Sequence, residues 1–125
     1  MIISTGIDII EVERVQKELE RDHGLKEKLF TPVEIAYCTS KHFPFQHFAV
    51  RYAAKEAFFK ALGTGWRHGM QFSEICISNR ENGQPELSLS GKVKEFANDL
   101  GISKIHVSLS HLKNIATAIV IIEKQ

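Results

Sequence analysis

The chain has 125 residues, 43% of them apolar and 25% charged, the balance of an ordinary globular protein of about one domain. A net charge of +1 is too small for a nucleic-acid footprint or for attraction to an anionic membrane surface. No window approaches the ~18 consecutive apolar residues of a membrane span.

The opening MIISTGIDIIEVERV has no basic region and is not a signal peptide. Cys38 and Cys76 form no CxxC and no zinc-type cluster. They read as two buried thiols in a reducing compartment. A soluble cytoplasmic protein with neither a nucleic acid nor a membrane as partner is the expectation.

Ile2 to Ile9 alternates as a strand, with Ile3, Ile7 and Ile9 on one face and Ser4, Gly6 and Asp8 on the other. EVERVQKELER follows as a helix on Val12, Val15 and Leu19, closed at His23-Gly24. LKEKLF adds a helical turn. Thr31 to Glu34 (TPVE) carries a capping-box pattern, which predicts a helix starting at Pro32. The longest element is PFQHFAVRYAAKEAFFKALG, with Pro44 in its first turn and Gly63 as its stop. A glycine-rich loop, GTGWRHGM, comes next. QFSEICIS reads as a strand, Asn82-Gly83 as a hairpin turn and PELSLS as the return strand. GKVKEFANDLG is a short helix stopped by Gly101, and KIHVSLSH and IATAIVIIE are two final strands. Helices mixed with antiparallel hairpins predict an α+β fold, one compact domain over 1–125 with its strands packed on the long central helix.

Three features stand out chemically. Asp8 interrupts a β-branched run, where an unpaired buried carboxylate would cost several kcal/mol; it needs water or a positive partner. Glu56 and Lys60, four apart in AAKEAFFKALG, share a helix face. A strand carboxylate and a helix carboxylate converging on one cation is a usual Mg²⁺ arrangement, completed by water and substrate phosphates. The same residues are also open to an ordinary salt-bridge reading. In HVSLSH, His106, Ser108 and Ser110 face one way and Val107 and Leu109 the other. That is either a half-exposed strand or the lining of a phosphate site. No GxSxG elbow surrounds either serine. The GTG glycines follow a helix instead of opening one, so they form no P-loop.

Taken together, GIDIIEVERV, RYAAKEAFFKALGTG and HVSLSH resemble holo-acyl carrier protein synthase, the small stand-alone bacterial type of 4′-phosphopantetheinyl transferase. The resemblance runs along nearly the whole chain. It implies an enzyme that transfers the 4′-phosphopantetheine arm of coenzyme A to a serine of apo-acyl carrier protein in fatty acid biosynthesis, releasing adenosine 3′,5′-bisphosphate. It implies an α+β homotrimer with coenzyme A bound between subunits. Asp8 and Glu56 are then the Mg²⁺ ligands, and with Lys60 the catalytic set. Arg51, Lys60, Gly63, Gly65, His106 and Ser108 become coenzyme A contacts. Arg14, Lys17 and Arg21, three and four apart on the first helix, become the docking face for the acidic carrier. Basic groups such as Lys41 or His42 of a neighbouring subunit are expected near the 3′-phosphate. The chain departs from the commoner pattern at Trp66 and His68, which bears on how that loop covers the ligand. The base that deprotonates the serine stays open between a metal-bound water and Glu56. Three other readings are a non-catalytic coenzyme A module, a structural oligomer, and a transferase serving a polyketide or peptide-synthase carrier.

Overall fold

A computed structural model of the chain describes residues 1–63, 65 and 69–125. In chain order it forms β1 (Ile2–Glu11), α1 (Val12–Arg21), α2 (Leu25–Leu29), α3 (Pro32–Thr39), α4 (Pro44–Ala61), β2 (Ile75–Asn79), β3 (Pro85–Leu89), α5 (Gly91–Asp99), β4 (Ile102–His111) and β5 (Ile115–Lys124). The strands make an antiparallel sheet in the order β1-β5-β4 and a separate β2-β3 hairpin. This is the α+β architecture the sequence predicts, with a long helix on a three-stranded antiparallel sheet.

Most elements begin and end where local chemistry places them. Thr31 Oγ1 accepts from the Glu34 amide (3.2 Å) and Glu34 Oε1 from the Thr31 amide (2.8 Å), so α3 opens on the capping box, with Pro32 in its first turn. The β2-β3 loop turns on Gly83, whose φ of +88° favours glycine. One expectation is corrected: Phe72–Glu74 is a 3₁₀ turn, and the strand starts only at Ile75. The Glu74 carboxylate accepts from the amides of Gln71 (2.9 Å) and Lys92 (2.8 Å), which curls the chain before it extends. Trp66 and His68 lie outside the described residues. Cys38 is buried, Cys76 half-buried, and both are free thiols; burial pushes the Cys38 thiol up to about 12.

Helix α4 is enclosed on nearly every side, as expected of a helix apolar around most of its circumference. Ala57, Phe58 and Ala61 pack with Ala118, Val120 and Ile122 of β5 and with Ile75 and Ile77 of β2. Phe48, Ala49 and Val50 pack with Val12, Val15 and Leu19 of α1 and with Phe30 and Cys38. Strand β1 meets α4 with its glycine-aspartate face and leaves Ile7 and Ile9 outside, 63% and 67% exposed. No described helix is long and apolar enough to cross a membrane.

Candidate functional site

Gly6 decides how closely β1 and α4 approach. A Cβ there would overlap the Ala57 carbonyl and stand 2.9 Å from the Ala61 amide nitrogen. Without it the strand lies against the helix backbone, and Asp8, two residues on along the same face, meets the last turns of α4. The Lys60 ammonium donates to Asp8 Oδ1 at 2.8 Å and to the Ile7 carbonyl at 3.0 Å. Asp8 is thus paired with a positive group, its side chain 18% exposed against 54% for Lys60.

One turn before Lys60, Glu56 lines a cavity of about 450 Å³ together with Asp8, Arg14, Glu18 and Tyr52. The Tyr52 hydroxyl donates to Glu56 Oε1 at 2.9 Å. Burial, then that hydrogen bond, raises the tyrosine pKa well above its ordinary value. Among the described residues, Asp8 Oδ2 and Glu56 Oε2 carry no hydrogen-bonding or ion-pairing partner. Two hard carboxylate oxygens facing one cavity fit Mg²⁺, which takes one or two protein carboxylates and fills its remaining positions with water and substrate phosphates. No group of three or more His, Cys, Asp or Glu side chains arranged for a metal exists among the described residues.

The remaining predicted residues fall in three places. Arg14 lines the Asp8–Glu56 cavity, whereas Lys17 and Arg21 are exposed and paired along α1 with Glu13 (3.2 Å) and Glu18 (2.8 Å). Gly63 and Gly65 close α4 just beyond Lys60, the Gly63 amide donating to the Lys60 carbonyl at 3.0 Å. Arg51, His106 and Ser108 are elsewhere. Arg51 and Lys60 are nine positions, about two and a half turns, apart, so they face opposite sides of α4.

Arg51 is 2% exposed and borders a second cavity at the free edge of β4, with Tyr37, His47, Asn79, Ser108 and His111. Its Nη2 donates to Asn79 Oδ1 at 2.8 Å, and its Nε has no partner among the described residues. Arg51 and Lys41 both stand over the Tyr37 ring, at 4.3 and 4.5 Å. Burial, then the neighbouring His111, Arg51 and Lys41, holds His47 below its ordinary pKa. His106 is on the outer face of the sheet, bonded to Glu123 at 2.6 Å, and this bond lowers the Glu123 pKa. His42 stacks edge-on with Phe43. Within one chain, then, Asp8, Glu56 and Arg14 line one cavity, Lys60 is bonded to Asp8, and Arg51 and Ser108 lie apart from them. Tyr52 escapes a reading from sequence, although a tyrosine four residues before a glutamate on one helix face is a visible signal.

A family model described as the 4′-phosphopantetheinyl transferase superfamily matches residues 4–120. The chain belongs to that superfamily. Among its relatives, a holo-(acyl-carrier-protein) synthase of Geotalea daltonii is 46% identical over 125 residues, covering 99% of this chain and all of that one. The crystal structure of the Neisseria meningitidis holo-(acyl-carrier-protein) synthase superposes with a TM-score of 0.90 at 31% identity, covering 99% of this chain and 100% of the other. A Bacillus anthracis holo-(acyl-carrier-protein) synthase, solved in complex with CoA (3′,5′-ADP), gives a TM-score of 0.82 at 33% identity over 100% and 99% of the two chains. The chain therefore matches these synthases over nearly its whole length, and Asp8, Glu56 and Lys60 fall inside the span of the family model.

Proposed function

We infer that the chain carries out its family's reaction at the Asp8–Glu56–Lys60 cavity. It transfers the 4′-phosphopantetheine group of coenzyme A to a serine of apo-acyl carrier protein, giving holo-acyl carrier protein, and serves fatty acid biosynthesis. Residues 1–125 act as one transferase domain. The observation that carries the assignment of the site is a strand carboxylate, Asp8, and a helix carboxylate, Glu56, lining one cavity, with Asp8 paired to a helix lysine, Lys60.

Phosphoryl transfer asks for positioning and charge neutralisation more than for a covalent catalyst. Asp8 and Glu56 would hold Mg²⁺ through their free oxygens, and that ion, when bound, neutralises charge on the pyrophosphate and on the departing group. Lys60 is the counter-ion of Asp8 in the resting chain. Its half-exposed ammonium turns to a phosphate oxygen when coenzyme A enters. The carrier serine oxygen bonds to the phosphorus that bears the pantetheine arm, the pyrophosphate bridge breaks, and adenosine 3′,5′-bisphosphate leaves. The Tyr52 hydrogen bond leaves Oε2 as the oxygen of Glu56 without a protein partner. With Oε2 engaged by the cation, Glu56 would leave the serine proton to a water of the cavity.

The second cavity suits the bisphosphate end of the substrate. Arg51, Lys41, His47 and His111 gather there. The first cavity flanks β1 and the second flanks β4, the two outer strands of the sheet. A head-to-tail contact repeated around a three-fold axis would bring the β1 side of one subunit to the β4 side of the next. The exposed Ile7, Ile9 and Ile119 would be covered in that assembly. The carrier docks on the exposed face of α1, where Arg14, Lys17 and Arg21 meet its acidic surface.

The test is incubation with apo-carrier protein, coenzyme A and Mg²⁺, read by intact mass. The carrier is expected to gain one phosphopantetheine arm, and chelating the metal should abolish the gain. Asp8→Asn and Glu56→Gln should lose turnover while keeping the melting temperature. Near-normal turnover of either variant at saturating Mg²⁺ would remove that residue from the metal site.

A further inference from the structure

Resting on the metal reading above, we propose that Tyr52 is a positioning residue that makes Glu56 a one-oxygen ligand and thereby sets a preference for Mg²⁺ over Ca²⁺. The hydroxyl holds Glu56 Oε1 at 2.9 Å, from the preceding turn of the same helix. Its direction is fixed by packing. The Tyr52 ring stacks on Phe72, with centroids 5.6 Å apart and planes 19° from parallel, and Phe72 meets Phe59 edge-on at 5.1 Å. The Phe72 carbonyl in turn accepts from the fully buried Lys55 ammonium at 3.1 Å. A donor held by rigid elements keeps its partner within the narrow range of geometry a site needs.

Mg²⁺ demands near-ideal octahedral geometry and takes carboxylates one oxygen at a time, while Ca²⁺ is larger and readily takes both oxygens of one carboxylate. The Tyr52 proton on one lone pair of Oε1 competes with a cation for that oxygen and disfavours the two-oxygen grip on Glu56. Asp8 is similarly half-claimed, since its Oδ1 faces Lys60. Both carboxylates thus offer one oxygen each to the cavity, an arrangement matched to the smaller ion.

The experiment counts Mn²⁺ bound to the full-length protein by the electron paramagnetic resonance signal of the free ion. Mg²⁺ and Ca²⁺ serve as competitors, with coenzyme A and carrier omitted. In the unaltered protein Mg²⁺ should displace Mn²⁺ at lower concentration than Ca²⁺. Tyr52→Phe keeps the ring on Phe72 and loses the donor. It should weaken Mg²⁺ binding about tenfold, the lower end for losing a partner of a metal ligand, and narrow or reverse the preference over Ca²⁺. Tyr52→Gln restores a neutral donor four residues before Glu56 and should recover part of the preference, which a purely steric role of the ring would not allow. Identical competition curves for Tyr52→Phe and the unaltered protein, or a preference kept by Phe and lost by Gln, would overturn the proposal. Absence of Mn²⁺ binding in the unaltered protein would overturn the two-carboxylate metal reading as well.

Discussion

Lys55 is enclosed completely, its ammonium bonded to Glu34 Oε1 (2.7 Å), the Leu29 carbonyl (2.7 Å) and the Phe72 carbonyl (3.1 Å). Five residues later Lys60 is half exposed and paired with Asp8. Their surroundings separate their roles. Burial pulls the Lys55 pKa down and Glu34 opposes that pull, while Glu34 is itself held by the amides of Thr31 and Ile77. A buried pair so fully bonded ties α3, α4 and β2 together, whereas a half-exposed lysine is free to change partners. Replacing Lys55 by Met leaves Glu34 as an uncompensated buried charge. Urea denaturation of Lys55→Met should show a loss of about 3–5 kcal/mol, the usual consequence of breaking such a pair from one side. A loss below about 1 kcal/mol would mean that the pair adds little to the packing around it.

At the scale of elements, the geometry of the candidate site depends on the approach of β1 to α4. Neither element carries the site alone: β1 brings Asp8, and α4 brings Tyr52, Glu56 and Lys60. The glycine at position 6 lets the two backbones meet, and any side chain there has to push them apart. Gly6→Ala should therefore cost about 1–3 kcal/mol through overpacking, read as a lower melting temperature. Turnover should fall as well, because Asp8 and Lys60 separate. Unchanged turnover in Gly6→Ala would show that the 2.8 Å pairing is not needed for the chemistry.

For the whole molecule, the informative fact is that one chain holds two cavities at opposite edges of its sheet, one with paired carboxylates and one with clustered cations. If one coenzyme A spans both, its two ends are held by different subunits. Co-expressing an Asp8→Asn chain with an Arg51→Met chain, each inactive alone, should then restore activity. A random mixture places the intact halves together at about a quarter of the interfaces of a ring of identical contacts. Recovery of about that fraction is expected, and its absence with both chains folded would mean that each subunit works alone.

Much of this was legible locally. The capping box of Thr31 and Glu34, the stop at Gly63, the hairpin at Gly83 and the alternation of β4 are each set by neighbours a few residues apart. The motifs around Asp8, Glu56 and Lys60 named the family; in the fold Asp8 lines one cavity with Glu56 and pairs with Lys60. Local signals are less informative about burial. The alternation of β1 defines two faces, but not which of them turns inward; the polar, glycine-bearing face does, because only there can α4 lie against the strand. Sequence likewise does not separate Lys55 from Lys60, or show which cavity Arg51 borders. Helix and strand periods are properties of the chain near each residue, whereas burial, pairing and the contents of a cavity depend on segments dozens of residues away, and only the packed fold brings those together.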